Sequence, residues 1–434
     1  MKNILKKLFD HLKSVYHFLL AFFGALVYRF PSRRIKVFGV TGTNGKTTTV
    51  DLACRIFKKA GYKVAAFSSI KFEIAGEERQ NLYKMTMPGR AALQKLLREA
   101  VNKGCDVAIM EVTSEGIKQH RHRFIDFDAA CFTNLTPEHI ESHGGFENYK
   151  REKGKLFQAT KSVHIINSDD ENAGYFLKFP AERKIIFGIK DKEHLSKKEE
   201  EEHLVLNAEK VEASKNGINF KVEGKEFFLS LSGKFNIYNA LAAIAFSKIE
   251  RIDPGKARDA LREAKVIPGR MEEVISSPFN VIIDYAVTPD TLEGVYTEMR
   301  ESLSGGRLMA VLGSCGGGRD KWKRPVLGKI AAKYCDKIII TNEDPYNEDP
   351  KEILSMIKLG IMEAGFPEKD LYEIIDRRDA IGKALDLAEP GDGVIITGKG
   401  DEPWMCVSGG KKIPWNEREI IKEEYEKREI QENK

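Results

Sequence analysis

The spacing of apolar residues over the first thirty positions predicts a long helix with an apolar face. An apolar residue recurs every three or four positions at Leu5, Leu8, Phe9, Leu12, Val15, Tyr16 and Leu19, with lysines on the opposite face. This pattern is typical of a helix that lies in a membrane interface. The stretch 15–28 is apolar on all sides, but it is shorter than the span of about 20 residues that crosses a bilayer. The alternatives are packing on the body or on a partner subunit, and a short anchor.

From residue 31 onward the chain alternates between short apolar strands and amphipathic helices. The β-branched and aromatic run 35–40 predicts a strand, and the apolar spacing of 50–57 predicts a helix. The later runs "NVIIDY" and "RLMAVLG" are typical of buried parallel strands. We therefore expect an α/β protein. Its predicted parts are a basic amphipathic helix over 1–34, a central domain with a mostly parallel sheet over 35–267, and a C-terminal Rossmann-like domain over 268–434.

Composition and charge exclude several classes of protein. The chain has 434 residues, of which 42% are hydrophobic and 31% are charged, so it is globular rather than disordered or fibrous. Residues 1–36 hold eight Lys and Arg against one Asp, whereas the remainder is close to neutral with 62 Lys and Arg against 64 Asp and Glu. A near-neutral body argues against nucleic acid as the main partner. The charged stretch 190–203 lacks an apolar stripe, and we expect it to be exposed.

Six scattered cysteines have no metal-ligand spacing, which favours buried thiols in a reducing compartment. No small-residue cleavage site precedes Arg29, so a secretory signal is disfavoured. We expect a cytoplasmic protein that contacts the inner face of the cell membrane.

A glycine-rich turn between the first strand and helix predicts a phosphate-binding loop. Gly39, Gly42 and Gly45 let backbone N–H groups point inward, and the start of the following helix favours an anion. Lys46 would reach the outer phosphates, and the hydroxyl of Thr47 would bind Mg²⁺. The spacing departs from the common pattern, because Val40 stands where that pattern has glycine. We therefore expect the central domain, 35–267, to be P-loop ATPase-like.

The loop "GVTGTNGKTTT" and ten further segments, in order, resemble the Mur ligase family of ATP-dependent amino acid ligases in peptidoglycan precursor synthesis. The segments are "MTMPGR" (85–90), "AIMEVTSEG" (108–116), "FTNLTPEHIESHGGFENYKREKGKLF" (132–157), "INSDDENA" (166–173), "GKFNIYNALAA" (233–243), "IPGRMEEV" (267–274), "IIDYAVTPDTLE" (282–293), "VLGSCGGGRDKWKRPVLG" (311–328), "TNEDPYNEDP" (341–350) and "GKGDEPW" (398–404). Within the family the chain most resembles the tripeptide-forming ligases.

The resemblance implies that ATP activates a carboxylate as an acyl phosphate, which an amino acid amine then attacks. It implies Lys46, Glu111, His139 and Lys153 as catalytic residues, with Lys153 carbamoylated. The transferred phosphoryl group is strongly anionic, and the resemblance implies two Mg²⁺ ions that would offset its charge. Their implied ligands are Thr47, Glu111, His139 and Lys153. Glu111 also follows an apolar strand, where ligands of α/β sheets gather; by residue type alone it could cap the next helix, and His139 could be a cap or a core residue.

The other implied residues fall into two groups. The ATP contacts are Gly42, Thr43, Asn44, Gly45, Lys46, Thr47, Thr48, Asn236, Asn239, Arg270, Asp284, Tyr285, Arg319 and Lys323. The substrate contacts are Thr86, Pro88, Thr113, Ser114, Asp344, Pro345, Tyr346, Gly398 and Glu402. Amide groups such as those of Asn236 and Asn239 suit an adenine edge, although helix capping is the alternative for both.

Three departures from the family pattern change the expected substrate. Thirty-four residues before the loop are too few for the UDP-binding domain of about a hundred residues, so we expect a small-molecule or lipid-linked peptide acceptor that is held differently. Tyr346 replaces an arginine that would grip a second carboxylate, which disfavours diaminopimelate and leaves a cationic amino acid such as lysine. Val287 replaces a histidine. The rival hypotheses are a ligase of the folylpolyglutamate or amino acid polymer type, and a membrane-recruited scaffold without catalysis.

Overall fold

The computed structural model describes residues 2–83, 85–189, 202–214 and 216–432, with the backbone alone for 2–11 and 431–432. The side chains of Leu5, Leu8 and Phe9 and most of the stretch 190–203 thus lie outside the described residues. The described chain divides into two compact units. The first comprises residues 1–137 and 145–265, and the second comprises 138–144 and 266–434.

The first unit is built on an eleven-stranded sheet. Its strands are β1 (Lys36–Thr41), β2 (Val64–Phe67), β3 (Lys71–Ile74), β4 (Glu77–Gln80), β5 (Val107–Glu111), β6 (Ala129–Phe132), β7 (Val163–Asn167), β8 (Arg183–Gly188), β9 (Leu204–Ser214), β10 (Gly217–Val222) and β11 (Lys225–Leu229). The order is β11-β10-β9-β8-β7-β6-β1-β5-β2-β3-β4. The strands from β9 to β2 in this order are parallel, and antiparallel strands extend both edges.

Helices flank this sheet. They are α1 (Lys2–Val27), α2 (Lys46–Lys59), α3 (Arg90–Asn102), α4 (Ser114–Lys118), α6 (Phe146–Ala159), α7 (Ala173–Leu177), α8 (Asn236–Ile249) and α9 (Pro254–Glu263), with a 3-10 turn at Pro31–Arg34. The central strand β1 is buried from Val37 onward because side chains cover it on both faces. On one face Phe38 stacks on Phe246 of α8, with ring centroids 5.3 Å apart; on the other, Val37 joins the main core.

The second unit holds a six-stranded sheet. Its strands are β12 (Glu272–Ile275), β13 (Asn280–Asp284), β14 (Leu308–Leu312), β15 (Lys337–Ile340), β16 (Leu371–Glu373) and β17 (Gly393–Thr397), and a hairpin follows with β18 (Trp404–Cys406) and β19 (Lys412–Pro414). The helices are α5 (Ile140–His143), α10 (Pro289–Ser302), α11 (Lys323–Tyr334), α12 (Pro350–Glu363), α13 (Arg377–Leu387) and α14 (Glu417–Glu432), with 3-10 turns at Glu368–Asp370 and Ser408–Gly410.

Apolar side chains alternate between the two faces of this second sheet. The order is β12-β13-β17-β14-β15-β16, and only β12 is antiparallel to its neighbour. Along β14, Leu308, Ala310 and Leu312 join one core, whereas Met309 and Val311 join the other. The continuous apolar runs of the sequence therefore serve two buried faces, and the predicted α/β class with parallel sheets and an N-terminal helix is confirmed.

Candidate active site

The glycine-rich loop lies between β1 and α2 and leaves the start of that helix open. Gly45 precedes α2 with a φ of 81°, and no side chain caps the helix or adds an acidic group to its first turn. Free N–H groups at a helix start attract anions. The loop backbone is held from behind, because Asn44 N–H donates to Asn134 Oδ1 at 2.8 Å and Thr43 N–H donates to Asn134 O at 2.9 Å. The segment thus has the form of a phosphate cradle.

Two lysines converge on one carbonyl of this loop. Lys46 Nζ donates to Gly42 O at 2.9 Å and to Thr43 O at 2.7 Å. Lys153, on α6, donates to the same Gly42 O at 2.7 Å and is only 2% exposed. Its ammonium lies 4.6 Å from the ring centre of Tyr149, whose hydroxyl is 3.1 Å from Thr43 Oγ1. Two predicted catalytic residues from distant parts of the sequence therefore meet at the loop.

A hydroxyl and a carboxylate meet at the start of α2. Thr47 Oγ1 donates to Glu111 Oε1 at 2.7 Å, and the same carboxylate oxygen accepts from the Ser69 N–H at 2.8 Å. Glu111 is 2% exposed at the end of β5, and Thr47 and the adjacent Thr48 are also buried. Sequence reasoning missed Ser69, whose hydroxyl lies 2.9 Å from Thr47 Oγ1; its position two residues after the end of strand β2 was the available signal.

This pair suits a magnesium ion. Mg²⁺ takes oxygen donors, keeps several waters, and is often held by one or two protein groups together with substrate phosphates. Within the described residues no three or more His, Cys, Asp or Glu side chains form a cluster that could hold a metal. By ligand type, the hydroxyl of Thr47 and the carboxylate of Glu111 fit a Mg²⁺ ion that takes its remaining ligands from phosphate and water.

Two asparagines border the loop from the start of α8. A Cβ placed on Gly45 would lie 2.2 Å from Asn239 Oδ1, so the side chain of Asn239 lies against the loop. Asn239 Nδ2 donates to Asn236 Oδ1 at 2.9 Å, and Asn236 Nδ2 donates to Ser232 O at 2.6 Å. Residue 235, which occupies the N-cap position of α8, makes no side-chain cap bond. Asn236 and Asn239 thus form a linked pair beside the predicted phosphate site.

The two segments of the first unit that carry predicted substrate contacts pack on each other. Pro88 is buried and Thr86 is half-buried in the loop before α3. Thr113 caps α4 by accepting from the Gly116 N–H at 3.1 Å, and the buried Ser114 follows it. Met87 lies so close to α4 that a Cβ on Gly116 would be 2.4 Å from its Sδ.

Sequence reasoning missed two arginines beside these loops. Arg121 is 8% exposed and donates to Met87 O and, at 2.8 Å, to Gln119 Oε1. Arg90 donates to the same Gln119 Oε1 at 3.1 Å. Burial, with the nearby Arg90 cation, lowers the pKa of Arg121 to about 10. The arginines stay charged at neutral pH, which suits an anionic ligand; the motif "MTMPGR", which ends at Arg90, was the available signal.

In the second unit, residues of the turn before α11 and at the start of α11 form hydrogen bonds with the segment 138–144. Lys323 Nζ donates to both carboxylate oxygens of Glu138, at 3.0 and 3.1 Å, and both residues are buried. Asp320 accepts the backbone N–H groups of residues 140 and 141, each at 3.0 Å. Arg319 Nη1 lies 3.4 Å from Nδ1 of His139, which has a φ of 57°. The predicted ATP contacts Arg319 and Lys323 are thus engaged with this segment, and their role toward ATP stays a prediction.

A buried lysine links two of the predicted substrate contacts. Lys399, fully buried, donates to Asp344 Oδ1 at 3.0 Å, to Glu402 Oε2 at 2.6 Å and to Trp404 O at 2.7 Å. Glu402 also accepts from the Tyr285 hydroxyl at 3.3 Å. Lys399 lies within the quoted segment "GKGDEPW", and sequence reasoning did not assign it. It holds both carboxylates in place and offsets their charge.

Tyr346 and Gly398, two further predicted substrate contacts, are closely packed against neighbouring residues. Tyr346 has a φ of 51°, its N–H donates to Cys406 O at 3.1 Å, and a Cβ on Gly317 would lie 2.6 Å from its ring. Pro345, just before it, is also buried. A Cβ on Gly398 would lie 2.6 Å from the Glu343 carboxylate.

Arg270, Asp284 and Tyr285 form a second group in this unit. The Arg270 guanidinium lies 4.7 Å from the ring centre of Tyr285. Asp284 Oδ2 accepts from the Met271 N–H at 2.7 Å. Burial raises the pKa of Asp284 to about 6, although the Arg270 cation opposes that rise. These three residues are brought together, and their contact with ATP stays a prediction.

Comparison with known proteins places these geometries in one family. The Mur ligase middle domain profile matches residues 40–247, and the profile of the Mur ligase glutamate ligase domain matches residues 269–400. The UDP-N-acetylmuramoyl-L-alanyl-D-glutamate–2,6-diaminopimelate ligase of Clostridium botulinum is 37% identical over 412 residues, which are 93% of this chain and 80% of that protein.

Solved structures agree with this result. A structure of a UDP-N-acetylmuramoyl-L-alanyl-D-glutamate–2,6-diaminopimelate ligase aligns with a TM-score of 0.59 and 27% identity, over 91% of this chain and 79% of that one. The folylpolyglutamate synthase of Mycobacterium tuberculosis, solved with ADP and AMPPCP, shares the fold with a TM-score of 0.66 at 17% identity, over 89% of this chain and 92% of that one. The resemblance drawn from the motifs is therefore confirmed, and the chain belongs to the Mur ligase family of ATP-dependent enzymes that form amide bonds.

Proposed function

We propose that this ligase joins the amine of a free amino acid to a carboxylate of a peptidoglycan-precursor-like peptide, UDP-linked or an analogue. The observation that best supports this proposal is that Lys46 and Lys153 both donate to Gly42 O, next to the Thr47–Glu111 pair. The setting is the cytoplasm, where ATP is available, and nucleic acid has no part in the reaction.

The reaction has two steps that this geometry supports. An acceptor carboxylate oxygen attacks the γ-phosphorus of ATP, the bond from that phosphorus to the bridging oxygen breaks, and ADP leaves. The amine then attacks the acyl carbon, inorganic phosphate leaves, and the amine loses a proton. Lys46 exchanges its two carbonyl partners for phosphate oxygens, which places a cation where negative charge accumulates.

Thr47 and Glu111 hold Mg²⁺ in this proposal, with Ser69 fixing the carboxylate. The ion supplies charge neutralisation for the phosphates. The family resemblance assigns His139 and Lys153 to a second ion, and that assignment stays a prediction. Asn236 and Asn239 would position the nucleotide from the far side of the loop.

The two lysines at Gly42 O favour carbamoylation of Lys153. Since their ammonium groups lie 2.9 and 2.7 Å from one oxygen, they are within about 6 Å of each other, and two such charges repel by about 3 kcal/mol at an effective dielectric constant of 20. Addition of CO₂ to the neutral amine releases one proton and leaves an anion, so repulsion becomes attraction. The remaining N–H can still donate to Gly42 O. A carbamate carbon resonance after incubation with ¹³C-labelled bicarbonate, absent in Lys153→Arg, would support this; its absence in the wild type would refute it.

The added amino acid is proposed to be cationic, for example lysine. The Glu343 carboxylate lies beside Gly398, a predicted substrate contact, and the residue after Pro345 is a tyrosine whose ring packs against Gly317. A tyrosine provides no bidentate cation for the second carboxylate of diaminopimelate. The Clostridium botulinum relative is named for that amino acid, so lysine, diaminopimelate and glutamate should be compared directly. Faster turnover of diaminopimelate than of lysine would overturn this part, and Tyr346→Arg is expected to raise the use of diaminopimelate.

The decisive experiment measures phosphate release and product mass with ATP, Mg²⁺, UDP-N-acetylmuramoyl dipeptide and each amino acid. Product formation should require both the acceptor and the amino acid. Lys46→Ala is expected to lower turnover by about 100-fold or more, as the loss of a donor to a developing charge does. Lys63 is exposed in the connection between α2 and β2, so Lys63→Ala serves as the control. Near wild-type turnover in Lys46→Ala would refute the proposal.

Residues 1–30 are proposed to contact the membrane surface peripherally. Within the described residues no helix combines the length and apolar character needed to cross a bilayer. The contact would be made from one side, by the exposed face of α1.

A further inference from the structure

Helix α1 presents an apolar face to solvent and a face of small residues to the protein. The buried positions are Ala21, Gly24 and Ala25. Ten large apolar side chains on this helix are at least 36% exposed: Leu12, Val15, Tyr16, Phe18, Leu19, Leu20, Phe22, Phe23, Leu26 and Val27. A surface helix of a globular protein normally has the opposite arrangement. An exposed apolar patch of this extent marks an interaction surface.

The helix is fixed on the first unit by close contacts. A Cβ placed on Gly24 would lie 2.9 Å from Ala91 Cα on α3, so the two backbones approach directly. Arg98 donates to Tyr28 O at 2.7 Å and ties the end of α1 to the same helix α3. The apolar face is therefore held outward by the packing of the small-residue face.

The charge around this face selects an anionic partner. Residues 1–36 hold eight Lys and Arg against one Asp, while the remainder of the chain has a slight acidic excess. In the described part, Lys13, Arg29, Arg33 and Arg34 are exposed. Apolar side chains bordered by basic ones match the surface of a bilayer that contains anionic lipids.

The same helix contacts the two segments of the first unit that carry predicted substrate contacts. His17 Nδ1 accepts from Arg90 at 2.6 Å, and burial with the nearby Arg90 cation lowers the pKa of His17 to about 4, so the imidazole is neutral. Ser14 Oγ lies 2.8 Å from Nε2 of His120. Phe18 packs its ring against Phe124, with centroids 5.2 Å apart. Arg90 lies in the same segment as Pro88, and His120 and Arg121 follow the segment that contains Thr113.

We propose that α1 docks on an anionic membrane surface and that the acceptor of this ligase is a lipid-linked peptide taken from that surface. The inference rests on the proposed function, because it concerns the acceptor of that reaction. The bound helix would bring these two segments, with their predicted substrate contacts, to the lipid headgroups, where a lipid-anchored peptide is concentrated. The amine and ATP still arrive from solution.

The test uses the full chain with vesicles of phosphatidylcholine, with and without phosphatidylglycerol. Two acceptors are compared at equal concentration: the soluble UDP-linked dipeptide, and the same dipeptide sugar joined through a diphosphate to a polyprenyl chain in the vesicles. The variant Leu19→Glu/Phe23→Glu places charges on the exposed face, and Leu359→Glu, at an equally exposed leucine of the second unit, is the control.

The wild type and Leu359→Glu should pellet with the anionic vesicles and use the lipid-linked acceptor. The double variant should lose pelleting and lose about tenfold or more of that rate, because it cannot insert its apolar face. Its rate with the soluble acceptor should match that of the wild type.

Each other outcome overturns a defined part. Use of the soluble acceptor but not the lipid-linked one would overturn this inference and leave the proposed function in place. Pelleting by the double variant at the wild-type level would also overturn it, as would a wild-type dimer that Leu19→Glu/Phe23→Glu dissociates without any vesicle binding. No turnover of either acceptor by a protein that pellets would overturn the proposed function, and the acceptor assignment with it.

Discussion

The substitution Gly42→Ala is expected to damage the phosphate loop far more than an alanine at another left-handed glycine. Gly42 has a φ of 155°, and a Cβ there would lie 1.9 Å from Thr133 Oγ1. Gly61 has a φ of 92° and has no atom within 4 Å of the corresponding Cβ position. Gly61→Ala therefore tests backbone strain alone, whereas Gly42→Ala adds a steric clash.

The magnitude follows from these two contributions. An unfavourable backbone conformation costs about 1–3 kcal/mol, and overpacking a filled site adds about 1–3 kcal/mol. Gly42→Ala should thus lower the free energy of unfolding by about 2–6 kcal/mol, against about 1–3 kcal/mol for Gly61→Ala. Because Thr133 Oγ1 donates to Asn44 O at 2.7 Å, relief of the clash moves the loop. ATP affinity should fall with it.

Urea unfolding and ATP titration of both variants measure these effects. The double variant Gly42→Ala/Thr133→Ala should recover part of the stability, since the clashing hydroxyl is gone, and the mutant cycle gives the coupling. Equal stability and equal ATP affinity in Gly42→Ala and Gly61→Ala would refute the reasoning.

Three further perturbations concern buried polar and charged side chains. Burial, with the adjacent Asp344 charge, raises the pKa of Glu343 from 4.5 to about 6, so ionisation of this carboxyl lowers the stability of the wild type as the pH rises through that range. In urea unfolding, the stability of Glu343→Gln relative to the wild type should therefore increase by about 2 kcal/mol between pH 4 and pH 7. A difference that does not change with pH would contradict this. Arg377 and Glu417 are paired at 2.5 Å with both side chains fully buried, so Arg377→Met should cost about 3–5 kcal/mol and Arg377→Met/Glu417→Leu should recover much of it; a double variant no more stable than the single one would count against the pairing. Thr47→Val removes a hydroxyl without changing shape, so the Mg²⁺ concentration for half-maximal turnover should rise, and an unchanged value would remove Thr47 from the metal site.

The strands and the loop could be predicted because their signals are local. The apolar run 35–40 corresponds to β1, and Glu111 was predicted at a strand end because an apolar run precedes it. Parallel neighbours then bring Glu111 to Thr47 without any further information. The outer face of α1 was also predicted in its described part, since Leu12, Val15 and Leu19 are exposed.

Long-range contacts could not be predicted in this way. Lys153 meets Gly42 O across 111 positions of sequence, and its place followed only from the family resemblance. The inner face of α1 carried no signal, because Ala21, Gly24 and Ala25 are small and define no apolar stripe. Lys399 was hidden for another reason: a lysine is expected at the surface, and here three acceptors compensate its burial.

The unusual glycine spacing of the loop has a packing explanation. Val40, which stands where the common pattern has glycine, is fully buried in β1 and pairs in register with Glu111. Each glycine instead lies where another group comes close: a Cβ on Gly39 would be 3.0 Å from the Phe127 ring, and those on Gly42 and Gly45 would meet Thr133 and Asn239. The strand therefore continues through position 40, and the turn begins only at Gly42. Since Lys46 and Thr47 still reach the loop carbonyls and Glu111, the altered spacing shifts the start of the loop along the strand and keeps the Lys46 cation and the predicted metal ligands in place.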